Sequence, residues 1–197
     1  GVVRVGMDDH PWGFLVKWEG DLPGALCAEM AQALAAFLGV REEIVAAPWG
    51  RGEPGSITGT WMGGDWSRFD LLVTPVTCLS ERQERVIFSD PYITVGQMIL
   101  VRRDAGFRTM ESLRLGIIGA IQDSSSETAV REAFPEATLR SYGYAEDILE
   151  RLRRGELDAA VVDSPVALEL LRCFPDLTAL EKLLTRERYA LVLPLSA

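Results

Sequence analysis

The sequence predicts an α/β protein, and three observations predict it. Short apolar runs alternate with segments of helical periodicity along the whole chain. The runs are apolar almost throughout, as strands covered on both faces are, so the sheets are expected to be mostly parallel with helices flanking them. The alternation also occurs twice, in two similar series that meet near residues 90–96. With 197 residues the chain is long enough for one large domain or two small lobes with cores of their own.

In the first series, "VVRVGM" (2–7) reads as a buried strand that runs into the polar loop "DDHPWG". "PGALCAEMAQALAAFLG" (23–39) is rich in Ala and Leu and ends in Gly39, the pattern of a helix closed by a left-handed residue. "EEIVAA" (42–47) is a second strand. The glycine-dense stretch from Pro48 to Ser67 leaves room only for a short helix near 56–63. "FDLLVT" (69–74) completes a β-α-β-α-β order.

In the second series, "QMILVRR" (97–103) and "LGIIGAI" (115–121) are strands joined through a helical turn around "TMESL". The helix "SSETAVREAF" and the strand "ATLRSY" (137–142) follow. "AEDILERLRRG" (145–155) puts Ile148, Leu149 and Leu152 on one face and Gly155 just past the end of an amphipathic helix. "LDAAVV" (157–162) leads into "DSPVALELLRCF", where Ser164 is placed to cap and Pro165 sits in the first turn. "RYALVLPL" (188–195) is the final strand. The two series join through "SDPYITVG", an extended segment that suits a hinge strand between lobes. The pattern alone also admits one continuous α/β domain.

Composition narrows the function. Hydrophobic residues at 48% and charged residues at 25% are ordinary for a soluble globular protein. A formal charge of −9 and the absence of a basic patch disfavour nucleic acid and anionic membranes, since nothing neutralises phosphates. No apolar run reaches membrane-spanning length. A start at Gly1 rather than Met suits a mature or trimmed product. Cys27, Cys78 and Cys173 match no zinc or redox spacing; Cys27 and Cys173 fall in apolar helical contexts where burial is expected. The single His10 lacks partners at ligand spacing, so neither a metal nor a cofactor is expected.

The stretch "TCLSERQERVIFSDPYITV" (77–95) packs Glu81, Arg82, Glu84 and Arg85 into one turn before an apolar run broken by Asp90 and Pro91. Together with "FDLLVTP" before it, this segment resembles the type II periplasmic solute-binding proteins, the amino-acid-binding family of ABC importers. The carrying features are the Thr- and Ser-rich loop, the Glu-Arg pair and the F-S-x-P-Y crossover. "VRVGMDDHPWGF", "AIQDSSSETA" and "GELDAAVVDSPVALE" match the same family in the same order. The resemblance implies a first lobe of residues 1–92 plus 188–197 and a second lobe of 93–187.

The family's ligand is a zwitterion, which needs a donor fork for its carboxylate and an acceptor for its ammonium. Arg82 corresponds to the carboxylate-binding arginine, a planar fork that lysine cannot supply. Thr77 corresponds to a ligand-contacting hydroxyl in the same loop, and Pro75 leaves backbone carbonyls there free to accept from the ammonium. Ser125 corresponds to the Ser or Thr that hydrogen-bonds the carboxylate from the second lobe. Ser124, with Glu127 three residues on, forms a capping box at a helix start that favours anions. Asp163 corresponds to the ammonium-binding aspartate at a strand end. Trp12 and Trp49 stand where the family places aromatics that sandwich the ligand side chain, though either equally suits the core. Asp8 corresponds to an aspartate that reaches a polar ligand side chain, and also suits a cap of the loop after it.

The chain departs from the family at Leu79, where Thr is common, and at Asp123, where Gly is usual. The family also continues past the last strand with one or two helices, whereas this sequence ends at Ala197. The resemblance implies an extracytoplasmic, periplasmic protein that clamps a small amino acid or related zwitterion and presents it to an ABC permease, with no enzymatic role. Two other readings stay open. One is a lyase like the cyclohexadienyl dehydratases, for which His10 and Asp123 are the candidate acid-base groups. The other is the sensor domain of a larger membrane receptor.

Overall fold

The computed structural model of the protein describes residues 1–50 and 55–195. Residues 51–54 of the glycine-dense stretch, and residues 196 and 197 of the expected first lobe, lie outside the described residues. The chain divides into two compact units, Gly1–Thr94 with the segment from Arg188 onward, and Val95–Glu187.

In chain order the first unit holds β1 (Val2–Asp8), β2 (Lys17–Glu19), β3 (Leu22–Gly24), α1 (Ala25–Leu38), β4 (Arg41–Ala47) and α2 (Ile57–Gly63). β5 (Leu71–Leu72), α3 (Ser80–Gln83), β6 (Val86–Phe88) and β7 (Ile93–Val95) follow. The second unit holds β8 (Gln97–Arg102), a 3₁₀ turn at Glu111–Leu113, β9 (Ile117–Ile121), α4 (Ser125–Ala133) and β10 (Thr138–Tyr142). It continues through α5 (Ala145–Arg154), β11 (Ala159–Asp163), α6 (Ser164–Cys173) and β12 (Leu177–Ala179) to β13 (Glu187–Tyr189). β14 (Val192–Pro194) belongs to the first unit again. The chain passes from one unit to the other within β7 and within β13, which pair with each other.

Each unit is built on a five-stranded sheet, in the order β4-β1-β5-β14-β6 and β10-β9-β11-β8-β12. The first three strands of each list pair in parallel. β14 and β8 run antiparallel to both of their neighbours. In each sheet, therefore, every strand but one points the same way, and the reversed strand is the one that follows a passage between units. This is the mostly parallel α/β architecture that the apolar runs imply, with one inserted strand per sheet that the runs alone do not reveal.

The helices cover these sheets through the faces their sequences make apolar. α1 buries Cys27, Ala28, Ala31 and Ala35, a stripe of small side chains on one face, and ends at Gly39 in the left-handed conformation, φ 66°. α5 buries Ile148 and Leu152, one turn apart, and ends at Gly155 with φ 79°. Its first turn carries Glu146 and Asp147 and its last Arg151, Arg153 and Arg154, the charge order that the helix dipole favours. The second unit's core joins Ile99 and Val101 of β8, Ile118 and Ala120 of β9, Val130 and Phe134 from α4, and Val161 of β11.

Several local expectations are corrected. The run 69–74 is a strand only at Leu71–Leu72, although the N–H groups of Asp70 and Val73 extend the pairing to Arg4 and Gly6. The segment 188–195 divides into β13 and β14, because the Ala190 and Leu191 N–H groups turn to Val76 O and Ser89 Oγ. Ser164 is not the cap of α6: Asp163 holds that position without a side-chain bond, and Ser164 Oγ instead accepts from the Gly96 N–H at 3.4 Å. The hairpin of β2 and β3 was not expected; Gly20, at φ 63°, makes its turn. Cys173 is exposed, as the last residue of α6, whereas Cys27 is buried as expected.

Candidate functional site

In the first unit the predicted residues gather where β1, β4 and β5 end. In a parallel sheet with this order the crevice beyond the strand C-termini, beside the central strand, is the usual ligand position. Asp8, the last residue of β1, is buried. Its carboxylate accepts from the His10 N–H at 2.9 Å and from Trp12 Nε1 at 2.9 Å. Burial pushes its pKa up to about 7, against the pull of those two hydrogen bonds. Trp18 Nε1 donates to the Asp8 carbonyl at 2.7 Å.

The tryptophans form a continuous row. Trp12 and Trp49 are tilted against each other with ring centres 6.0 Å apart, and Trp49 meets the edge of Trp61 at 5.2 Å. The Arg82 guanidinium lies 5.0 Å over the Trp61 ring. Arg82 stands on the short helix α3, is buried, and donates from Nη1 to the Thr77 carbonyl at 3.2 Å. Thr77 bridges to Tyr189, and Cys78 N–H donates to the Arg188 carbonyl, which ties this loop to β13. The Trp61 ring beneath its face and the Thr77 carbonyl at its edge both orient the guanidinium. Pro75 is buried in the same loop, where the carbonyls of Val76 and Thr77 each accept a backbone N–H group.

In the second unit the predicted residues also come together, through partners that the sequence did not single out. Asp163 ends β11 and lies directly opposite Gln97, the first residue of the antiparallel β8. Gln97 is fully buried, and its Nε2 donates to Asp163 Oδ1 at 2.9 Å and to Ser125 Oγ at 3.2 Å. Ser125 Oγ donates to Glu187 Oε2 at 2.7 Å, and Thr185 Oγ1 donates to Glu187 Oε1 at 2.6 Å. Gln97 Oε1 has no hydrogen-bond partner. Leaving a buried carbonyl unpaired costs about 1–3 kcal/mol, so the amide faces this way because the Asp163 carboxylate demands its N–H side.

Ser124 turns away from this cluster. Its hydroxyl donates to the Ile121 carbonyl at 2.7 Å and accepts from the Ser126 N–H at 3.2 Å. The capping box is displaced by one residue, because Glu127 accepts from the Asp123 N–H at 2.9 Å. Burial pushes the Glu127 pKa up, but its bonds from Ser141, the Asp123 N–H and Arg131 outweigh that and hold it below the ordinary range. Asp123 itself takes φ 56°, the left-handed region that glycine favours and aspartate tolerates. His10 Nδ1 pairs with Asp9 Oδ1 at 2.7 Å. Ligand atoms of Asp8, Asp9 and His10 do lie within 4.8 Å of one another, contrary to the expectation that His10 has no neighbours at ligand spacing. The Asp8 carboxylate in that trio is already occupied by two N–H donors.

Trp61, Gln97, Thr185 and Glu187 are therefore the residues missed. Trp61 had a weak signal, as the third tryptophan among the site loops. Gln97, Thr185 and Glu187 had none, because their partners lie 28 to 90 residues away, Thr185–Glu187 excepted.

Residues 3–161 match the bacterial extracellular solute-binding proteins, family 3. The chain belongs to that family. It is 31% identical over 98 residues to the ABC transporter glutamine-binding protein GlnH of Bacillus subtilis, a match covering 49% of this chain and 36% of that protein. It is 28% identical over 176 residues to the L-cystine-binding protein TcyJ of Escherichia coli K12, covering 87% of this chain and 62% of that one. The chain thus spans less than two thirds of either relative's length. Among solved structures it is similar to an ancestral amino acid-binding protein, AncCDT-1, described as a precursor of cyclohexadienyl dehydratase. That similarity has TM-score 0.84 at 28% identity and covers 100% of this chain and 83% of the other. The relatives are binding proteins for amino acids, the solute-binding family is extracellular, and no helix among the described residues is long and apolar enough to cross a membrane.

Proposed function

We propose that the protein binds a free amino acid or related zwitterion and hands it to the membrane permease of an ABC importer. The observation that carries this reading is a pair of buried opposite charges, Arg82 on the first unit and Asp163 on the second, each oriented by its own neighbours. In the proposed complex Arg82, with Thr77, takes the ligand carboxylate, and Asp163 takes the ammonium. Trp12 and Trp49 flank the ligand side chain, with Asp8 behind them. Closure of the two units on the ligand would bury both charges together, so an analogue lacking either one would leave a buried partner unmatched. The amino-acid-binding relatives support the ligand class, and the family supports a place outside the cytoplasm, in the periplasm.

Calorimetry with the twenty amino acids and L-cystine tests the reading. The account expects tight binding of at least one, and loss of it in Arg82→Ala. Equal affinity of that variant and the parent rules the carboxylate role of Arg82 out. Incubation with prephenate and arogenate, followed for aromatic product, tests the dehydratase alternative; no product is expected.

A further inference from the structure

The loop that leaves β8 at the end opposite Gln97 is tied to itself. Arg108 donates from Nη2 to the Arg103 carbonyl at 2.6 Å and from Nη1 to the Phe107 carbonyl at 3.0 Å. Between this loop and the edge strand β12 lies a groove of about 670 Å³, a volume within the range of small-molecule sites. Its floor is apolar, with Phe107 and Met110 half-buried against the second unit's core beside Leu180. Its rim carries Arg103, Arg108 and Lys182, all exposed, against one carboxylate, Glu181. The nearest acids along the chain are used elsewhere: Asp104 pairs with Arg102 at 3.6 Å and Asp176 with Arg153 at 2.8 Å. Among the described residues no carboxylate pairs with Arg103, Arg108 or Lys182. Arg103 spends Nε on the Pro175 carbonyl at 2.8 Å, which leaves Nη1 and Nη2 as a donor fork.

We propose that this groove is a binding site of its own, for a small organic acid with an apolar body. The carboxylate meets the Arg103 fork and the Lys182 ammonium, and the body lies on Phe107, Met110 and Leu180. Three unmatched cations around a concave apolar surface focus a positive potential there, in a chain whose formal charge is −9. An anion relieves their mutual repulsion, and covering the floor adds affinity that a bare inorganic anion cannot gain. A free amino acid fits less well, because the same cations repel its ammonium. The site shares no residue with the cluster around Gln97. The sequence hides it, since Lys182 joins the two arginines only when β12 pairs with β8.

Calorimetry on the whole chain with octanoate and phenylacetate tests the site, beside octanol, which lacks the charge, and acetate, which lacks the body. The proposal expects saturable binding of the two acids and of neither control. Arg103→Glu should weaken both acids roughly tenfold or more, the worth of a hydrogen bond between charged groups, and Lys182→Glu should do the same. Arg140→Glu makes the same charge change on β10, at the opposite edge of the sheet, and should leave their affinity unchanged. All three residues are exposed, so thermal melts of the variants should match the parent. Octanol binding as tightly as octanoate overturns the proposal. So does parental affinity in Arg103→Glu and Lys182→Glu, which would place the acids elsewhere, or an equal loss in Arg140→Glu. Failure of both acids to bind also overturns it, and binding of a Glu-rich peptide in their place would make the groove a protein-docking surface.

Discussion

β1 and β9 hold the same place in two sheets of the same strand order, yet the residues around their ends do opposite work. The first unit offers a cation set on an indole, with a row of tryptophans beside it. The second offers carboxylates and a hydroxyl wired through one buried amide. The lesson is that the repeated strand order fixes where buried polar side chains gather, while a few residues at the strand ends fix their charge. Even the reversed strands differ in use: β8 starts with Gln97, the hub of the polar cluster, whereas Val192 of β14 is simply core.

The comparison breaks most visibly if the acceptor side is removed. Asp163→Asn should weaken amino-acid binding by about 2–5 kcal/mol, the cost of truncating one partner of a buried charged pair, with affinity read by calorimetry. Next in size is a pH effect confined to the first unit. The Asp8 pKa is raised to about 7 in the folded chain, above its ordinary value of 3.8. The folded state therefore holds that proton more tightly than the unfolded one. Asp8 should lower stability progressively as pH rises from about 4 to about 7, by roughly 2–4 kcal/mol. Urea denaturation across that range, compared with Asp8→Asn, measures the difference in slope.

A glycine in each of β1 and β9 gives a finer comparison. A Cβ on Gly6 of β1 would lie 2.8 Å from the Phe69 ring and 2.5 Å from Leu72 Cδ2. On Gly119 of β9 it would meet Leu157 Cδ1 at 2.6 Å, the tip of a flexible chain, and the Ile148 γ-methyl at 2.9 Å. A ring yields less than a methyl, so Gly6→Ala should cost about 1–3 kcal/mol and Gly119→Ala less; thermal melts of both variants check the order. The smallest effect is chemical. Cys173, being exposed, should react first with a thiol reagent in the native chain, Cys78 more slowly, and Cys27 only on unfolding, since Cys27 is buried and its pKa is pushed up to about 12.

Strands and helices in the sequence carried most of the fold, because apolar runs such as 157–162 and stripes such as Ile148 and Leu152 report burial directly. β6 and β12 were missed: each is three residues long, too short for a period. Arg82, Thr77, Ser125 and Asp163 could be singled out because they sit in motifs that follow one another in the family's order. Gln97 and Glu187 were not, because a glutamine opening a strand and a glutamate in "TRERYA" look like any surface residues until the sheet sets Gln97 opposite Asp163. The direction of a hydroxyl proton has no sequence signal at all.

The most direct test of the two-charge account is a crystal structure of the protein grown with the amino acid that binds it most tightly. The account predicts the ligand carboxylate on the Arg82 guanidinium and its ammonium on the Asp163 carboxylate. An amino acid bound elsewhere, or one touching neither side chain, would contradict it.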